Sequence, residues 1–144
     1  VLFNSVLHGE IISKRMGIPF ISGVDNRNTR QSEKSFFLEG KGKVLIASNI
    51  FKKGITLPEA QVIIFGDGGK EGSGVIQKYS RVLGVVEGKT SAAVIDFMDT
   101  GVKHFSEHSL NRLNVYDEDM NHRVEIYRAD QIDTMAESIN EWLL

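Results

Sequence analysis

The chain has 144 residues, a formal net charge of -2 and no cysteine, a length at which one domain buries roughly two-thirds of the surface that its unfolded chain exposes. The absence of cysteine excludes disulfides, thiolate zinc sites and cysteine nucleophiles, and suits a reducing, cytoplasmic compartment. No apolar stretch approaches the roughly 20 residues of a bilayer-spanning helix, so no membrane partner is expected, and the slightly negative whole confines any nucleic-acid contact to a local patch.

Val1, Leu2 and Phe3 open the chain as a short apolar run that reads as a strand, with no start codon or leader, and the expectation is that sequence has been removed upstream. From Val6 to Met16 the apolar residues Val6, Leu7, Ile11, Ile12 and Met16 recur close to helical spacing. A second run at residues 18–21 closes on Ser22 and Gly23. The following helix, carrying Phe36, Phe37 and Leu38, is expected to be capped by Asn28 or Thr29 and ended by Gly40.

Residues 44–47 (Val-Leu-Ile-Ala) and 62–65 (Val-Ile-Ile-Phe) are apolar without alternation, the pattern of parallel strands covered on both faces. A glycine-rich turn over residues 66–74 leads into a predicted helix through Val75, Ile76, Tyr79 and Leu83, and residues 92–97 give a fifth strand. Strands alternating with helices imply an α/β fold, an open parallel sheet of five or more strands with helices on both faces.

After Asp99 the composition changes. Residues 103–120 read as a polar helix, 124–127 as a strand and 132–144 as an amphipathic helix. The expected organisation is one domain over residues 1–100 and a mostly helical extension over 101–144 packed on it. No linker, repeat or low-complexity tract separates them.

In an open parallel sheet, ligands sit beyond the carboxyl ends of the strands, which directs attention to Asn4, Ser22, Gly23, Ser48, Asn49 and the residues from Gly66 onward. The sequence at these places, in order, resembles the motifs of superfamily 2 helicases. Val1 to Phe3 with His8-Gly9 is similar to motif IV, and Ser22-Gly23 with Thr29-Arg30 to the block after it. Ala47-Ser48 through Gly54-Ile55-Thr56 is similar to motif V, and Gln77 to Arg81 to motif VI. The likeness covers residues 1 to about 100 and is nearest to the second RecA-like domain of phage recombination and repair helicases.

The resemblance implies half of an ATP-driven motor, a RecA-like domain that closes on ATP held by the N-terminal RecA-like domain of the same parent protein. Mg2+ would be held mainly by that absent domain. Arg81 is implied as the residue facing the transferred phosphoryl group, where a guanidinium offsets developing charge. Gln77, one turn earlier, shares its helix face. Gly54 would let the backbone approach the nucleotide, and Thr56 stands where many relatives carry an acidic residue near the ribose. His8, Gly23, Arg30, Ser48 and Asn49 would grip the phosphate backbone of DNA or RNA without reading bases. A phage origin would put the protein in the host cytoplasm.

Two positions depart from the family pattern. Ser80 stands where it usually has glycine, and Gly84 where it has a second arginine, leaving Arg81 alone or Lys89 as a substitute cation. The alternative reading is therefore a degenerate, non-catalytic RecA-like module that binds nucleic acid or protein.

Other signals weigh less. Gly66 to Glu71 lacks the glycine spacing and the hydroxyl of a phosphate-binding loop. His104 and His108 around Glu107 spell a short zinc-peptidase motif with no third ligand, and no metal site is expected. Asp96 and Asp99 could form a carboxylate pair, but in this layout they fit better beside the cleft or as caps of the next helix.

Overall fold

The protein is described by a computed structural model at residues 1–48, 57, 59–66, 68, 84, 86–118 and 122–143. The expected helix through Val75 and Leu83, and the expected sites at Asn49, Gly54, Thr56, Gln77 and Arg81, with Ser80, lie outside these residues. In chain order the elements are β1 (Leu2–Phe3), α1 (Val6–Met16), β2 (Phe20–Ile21), α2 (Arg27–Leu38), β3 (Ile46–Ser48), β4 (Val62–Ile64), β5 (Ala93–Ile95), α3 (Lys103–Asp117), a 3-10 turn (Ala129–Gln131) and α4 (Ile132–Leu143).

Local chemistry sets the helix ends. Ser5 caps α1 by accepting the His8 amide at 3.3 Å, and Gly17, at φ 66°, takes the left-handed conformation that ends it. Lys14 and Arg15 in the last turn face the free carbonyls. α2 starts on Asn26, whose side-chain oxygen accepts the Thr29 amide at 2.8 Å. The cap is thus neither Asn28 nor Thr29, both of which lie inside the helix, because the preceding turn delivers Asn26 in extended geometry. Gly40, at φ 70°, follows the end of α2 as expected.

β3 lies between β1 and β2, all parallel, with Leu2 opposite Ala47 and Ile21 opposite Ala47 on its other side. β4 and β5 form a separate parallel pair. Among the described residues a single bridge, from Leu2 to Phe65, joins the two sheets, where the Gly66 amide donates to the Leu2 carbonyl at 2.8 Å. The expectation of one sheet of five or more strands is corrected: the described strands form a three-stranded and a two-stranded sheet. β1 is in register with β3 over both of its residues, and toward β4 it reaches only the bridge at Phe65, one residue beyond that strand, among the described residues.

The register assigns the faces. Side chains paired in register share a face of a parallel sheet, so Leu2, Ile21 and Ala47 point one way, and Phe3, Phe20 and Ile46 the other. Phe37 of α2 packs with the first set. α1 lies on the second, with Gly9 against the ring of Phe20. Helices therefore cover both faces of this sheet, and Ile46 and Ala47 are fully buried between them. Burying a side chain of isoleucine size contributes about 1.5–3 kcal/mol. Phe37, Leu2 and Leu57 also pack against Ala60, Ile63 and Phe65, so the two sheets share one apolar core.

A Cβ at Gly9 would stand 2.2 Å from the Phe20 ring. Gly9→Ala is expected to lower stability by about 1–3 kcal/mol through overpacking, read as a lower urea midpoint. An unchanged midpoint would show that α1 does not rest on β2 at this residue.

The carboxy-terminal part is tied to the sheets by named bonds. Arg112 of α3 reaches Asp96 after β5, and the Ser91 hydroxyl donates to the Trp142 carbonyl of α4 at 2.7 Å. Arg123 stacks over the Trp142 ring at 4.6 Å. Residues 124–127, expected as a strand, pair in no strand among the described residues. The Glu125 carboxylate accepts from Tyr127 and from Arg123, and these bonds hold its carboxyl below the usual range. Among the described residues, no helix is long and apolar enough to cross a membrane.

Candidate functional site

All strands within each sheet are parallel and the bridge between the sheets is parallel too, so every carboxyl end lies at one edge. Asn4 and Ser5 follow β1, Ser22 and Gly23 follow β2, Ser48 ends β3, Gly66 follows β4 and Asp96 follows β5.

The turn after β2 is built by Asp25, a residue that sequence reasoning passed over. Its carboxylate accepts the Ser22 amide at 2.6 Å and the Ser22 hydroxyl at 3.1 Å, while the Asp25 amide donates to the Ser22 carbonyl at 3.3 Å. The Ser-Gly-Val-Asp spelling is the usable signal, since an aspartate three residues on can fold back over the turn. Ser22 is held inside, while Gly23 and Val24 face solvent, Val24 at 92% exposure. Asn26 then opens α2, and Arg30 lies one turn in, half-buried, with its amide on the Asn26 carbonyl at 3.2 Å.

His8 is exposed in the first turn of α1 at the same edge. Ser48, expected to follow the strand, is instead its last residue, at 7% exposure and opposite Phe3. The edge thus gathers His8 and Arg30 in the first turns of two helices and Gly23 in the turn after β2, while the Ser48 side chain is packed within the sheet.

The corner after β4 and β5 is polar and closed. Asp96, 13% exposed, pairs with Arg112, 3% exposed, at 2.7 Å from Nε to Oδ2. Tyr116 donates its hydroxyl to the same oxygen at 3.0 Å, and the Phe97 amide donates to the other at 2.8 Å. Arg112 also donates to the Phe97 carbonyl at 2.9 Å. Ser109, fully buried, accepts the Asp99 amide at 3.0 Å and donates to the Phe105 carbonyl at 3.0 Å. Asp96 is therefore committed to α3, and Asp99 joins this corner through its backbone. Arg112, Ser109 and Tyr116 were missed because residues 103–120 read as a polar helix. Their spacing of three and four places them on one face, which was the available signal.

Lys89 is at the other edge. Its ammonium donates to the carbonyl of Ala60, just before β4, at 2.9 Å, and burial pushes its pKa below the usual lysine range. It does not stand beside the strand carboxyl ends, where a substitute for a phosphate-facing arginine would have to be. His104 and His108 meet edge to face at 4.1 Å on α3. Among the described residues no group of three or more histidines, cysteines, aspartates or glutamates is placed to hold a metal.

Comparison with known proteins bears on this arrangement. Residues 5–84 match the family model of the helicase conserved C-terminal domain. The chain is 32% identical over 110 residues to the ATP-dependent DNA helicase uvsW of Enterobacteria phage T4, a match spanning 72% of this chain and 22% of that protein. Among solved structures, it resembles S. cerevisiae Dbp5 bound to RNA and ADP BeF3, with a TM-score of 0.73 at 18% identity, covering 99% of this chain and 38% of that one. It also resembles the C-terminal domain of the DEAD-box protein Dbp5, with a TM-score of 0.71 at 17% identity, covering 97% of this chain and 79% of that one. These structural likenesses establish the fold. The chain spans less than a quarter of the length of the phage relative.

Proposed function

The chain belongs to the helicase conserved C-terminal domain family, and from that membership we propose that it is the second motor domain of an ATP-dependent superfamily 2 translocase. It closes on ATP and Mg2+ held by an N-terminal RecA-like domain of a longer parent, and it grips a nucleic-acid backbone. The observation that carries this reading is the family match over residues 5–84, which contains every expected site residue from His8 to Arg81, together with strand carboxyl ends that share one edge.

The described residues support the nucleic-acid half of the proposal most directly. A helix start presents unpaired amides and positive partial charge. The first turns of α1 and α2 carry His8 and Arg30, and Gly23 lies in the turn that leads into α2, all able to meet a phosphate backbone. DNA is the proposed track, since the phage relative is named a DNA helicase. For the nucleotide half, Gly54, Thr56 and Gln77 would line the ATP and Arg81 would offset charge on the transferred phosphoryl group. Mg2+ is assigned to the first domain, and the parent is assigned to the cytoplasm, or to the host cytoplasm if phage-encoded. Residues 1–100 would form the motor domain proper and 101–144 its packed extension.

A chain that supplies only this half should hydrolyse no ATP by itself, whereas the full-length parent should show ATPase that rises when single-stranded DNA is added at fixed salt. Ser80 and Gly84 favour the second reading, a non-catalytic nucleic-acid or protein-binding module. A full-length protein that binds DNA but hydrolyses nothing would select it. Turnover by the 144-residue chain alone, at the rate of a complete motor, would overturn the assignment as half of an active site.

A further inference from the structure

Across residues 101–144 every lysine and arginine has a carboxylate partner: Lys103 with Glu107, Arg112 with Asp96, Arg123 with Glu125 and Arg128 with Asp130, each at 4.0 Å or less. α2 is different. It carries Arg27, Arg30 and Lys34, and among the described residues none of the three is ion-paired, not even with Glu33, the acid of the same helix. Three cations less one acid leave α2 at +2 in a chain whose formal charge is -2. Spacings of three and four residues set Arg27, Arg30 and Lys34 along one flank of the helix, over about 10 Å of its length. Arg27 is exposed, and Arg30 and Lys34 are half-buried, a state in which a long basic side chain lays its stem on the surface and keeps its charge in water.

This placement is unfavourable for the helix by itself. The first turn of α2 holds Arg27 and Arg30 and no acid, although cations there oppose the positive end of the helix dipole, and like charges three or four residues apart repel. An anion laid along the flank reverses both effects. We infer that Arg27 and Lys34 are further binding residues for a phosphodiester backbone, and that they continue the grip of Arg30 down the flank of α2. The helix follows β2 and precedes β3, which are parallel neighbours, so it runs from the carboxyl edge back toward the amino edge. Lys34, seven residues along it, therefore carries the strand away from the strand carboxyl ends. Cations of one sign at a short, regular interval match a ligand that repeats one negative charge at a short, regular interval, as a nucleic-acid strand does. This inference rests on the reading above that the chain grips nucleic acid.

The test measures binding of single-stranded DNA without ATP, across a salt series, in the full-length parent, together with the thermal midpoint of each free protein. It compares wild type, Arg30→Gln, the double variant Arg27→Gln/Lys34→Gln, the charge-keeping double variant Arg27→Lys/Lys34→Arg and, as a control at the far end of α1, Lys14→Gln. Arg27→Gln/Lys34→Gln is expected to bind about tenfold more weakly, and its plot of log affinity against log salt should be shallower by about 0.7 for each of the two lost phosphate contacts. Its midpoint should stay level or rise, because the charges removed are unfavourable in the free helix, whereas a purely structural role would lower it. Arg27→Lys/Lys34→Arg should keep the wild-type slope, and Lys14→Gln should bind as wild type. Unchanged affinity and slope in Arg27→Gln/Lys34→Gln would overturn the inference and leave an acidic protein as the partner of the flank. A loss no larger than that of Lys14→Gln, or one accompanied by a matching fall in midpoint, would also overturn it. Weaker binding by Arg30→Gln beside an unchanged double variant would overturn the flank alone, whereas a wild-type parent that binds neither single-stranded DNA nor RNA would overturn the nucleic-acid reading and the flank with it.

Discussion

Replacing Arg81 with alanine is expected to lower the DNA-stimulated ATPase of the full-length parent by roughly 10³-fold or more, with DNA binding in the absence of ATP unchanged. A loss of this size corresponds to about 4 kcal/mol of transition-state stabilisation, the scale on which a guanidinium facing a transferred phosphoryl group acts. The effect should fall on kcat, because charge on the phosphoryl oxygens grows toward the transition state and interactions made only there change turnover. Arg81→Lys should recover part of the activity, since it keeps the charge and loses the planar fork. The comparison needs one salt concentration, because phosphate contacts weaken steeply as salt rises. If Arg81→Ala turned over ATP like wild type, the role would have to pass to another residue, and Lys89 does not fit it, being bonded to Ala60 at the opposite edge.

Asp96→Ala should be the most destabilising single change among the described residues, at about 3–5 kcal/mol. The substitution leaves the guanidinium of Arg112, 3% exposed, without its carboxylate, and it strips Tyr116 of its acceptor. Desolvation of an unpaired buried charge costs more than the pair itself contributes. The double variant Asp96→Ala/Arg112→Met should therefore be less destabilised than Asp96→Ala, because it removes the orphaned charge. Urea unfolding of the 144-residue chain and its two variants would decide. A loss below about 1 kcal/mol in Asp96→Ala would mean that the pair behaves as a surface salt bridge and the corner after β5 is open to water.

Much of the fold was legible because it depends on local chemistry. Unbroken apolar runs marked β3 and β4, helical spacing marked α1, and Gly40 marked the end of α2. What escaped depends on partners distant in sequence. The separation into two sheets turns on how many backbone bonds β1 can offer to β4, which no apolar run encodes. Gly9 was legible only as part of the block similar to motif IV, and its packing against the Phe20 ring was not. Asp96 and Arg112 are 16 residues apart, and nothing in the spacing between them signals an ion pair. Asp25 was within reach, since its turn chemistry is local. The candidate site divides differently. Resemblance identified Gly54, Thr56, Gln77 and Arg81, and it identified His8, Gly23 and Arg30 as well; the topology adds that His8 and Arg30 lie in the first turns of helices on the carboxyl edge.

The single bridge between Leu2 and Phe65 has a mechanical consequence. A continuous parallel ladder carries load as shear distributed over many backbone bonds. Among the described residues, a pull applied at the start of α2 passes to β4 and β5 through one backbone bridge and through the side chains common to both cores, Leu2, Leu57 and Phe37. The two sheets are, among the described residues, joined along a narrow seam, and load that crosses it falls on Leu2, Phe37 and Phe65, with Leu2 opposite Ala47 and so one residue from Ser48.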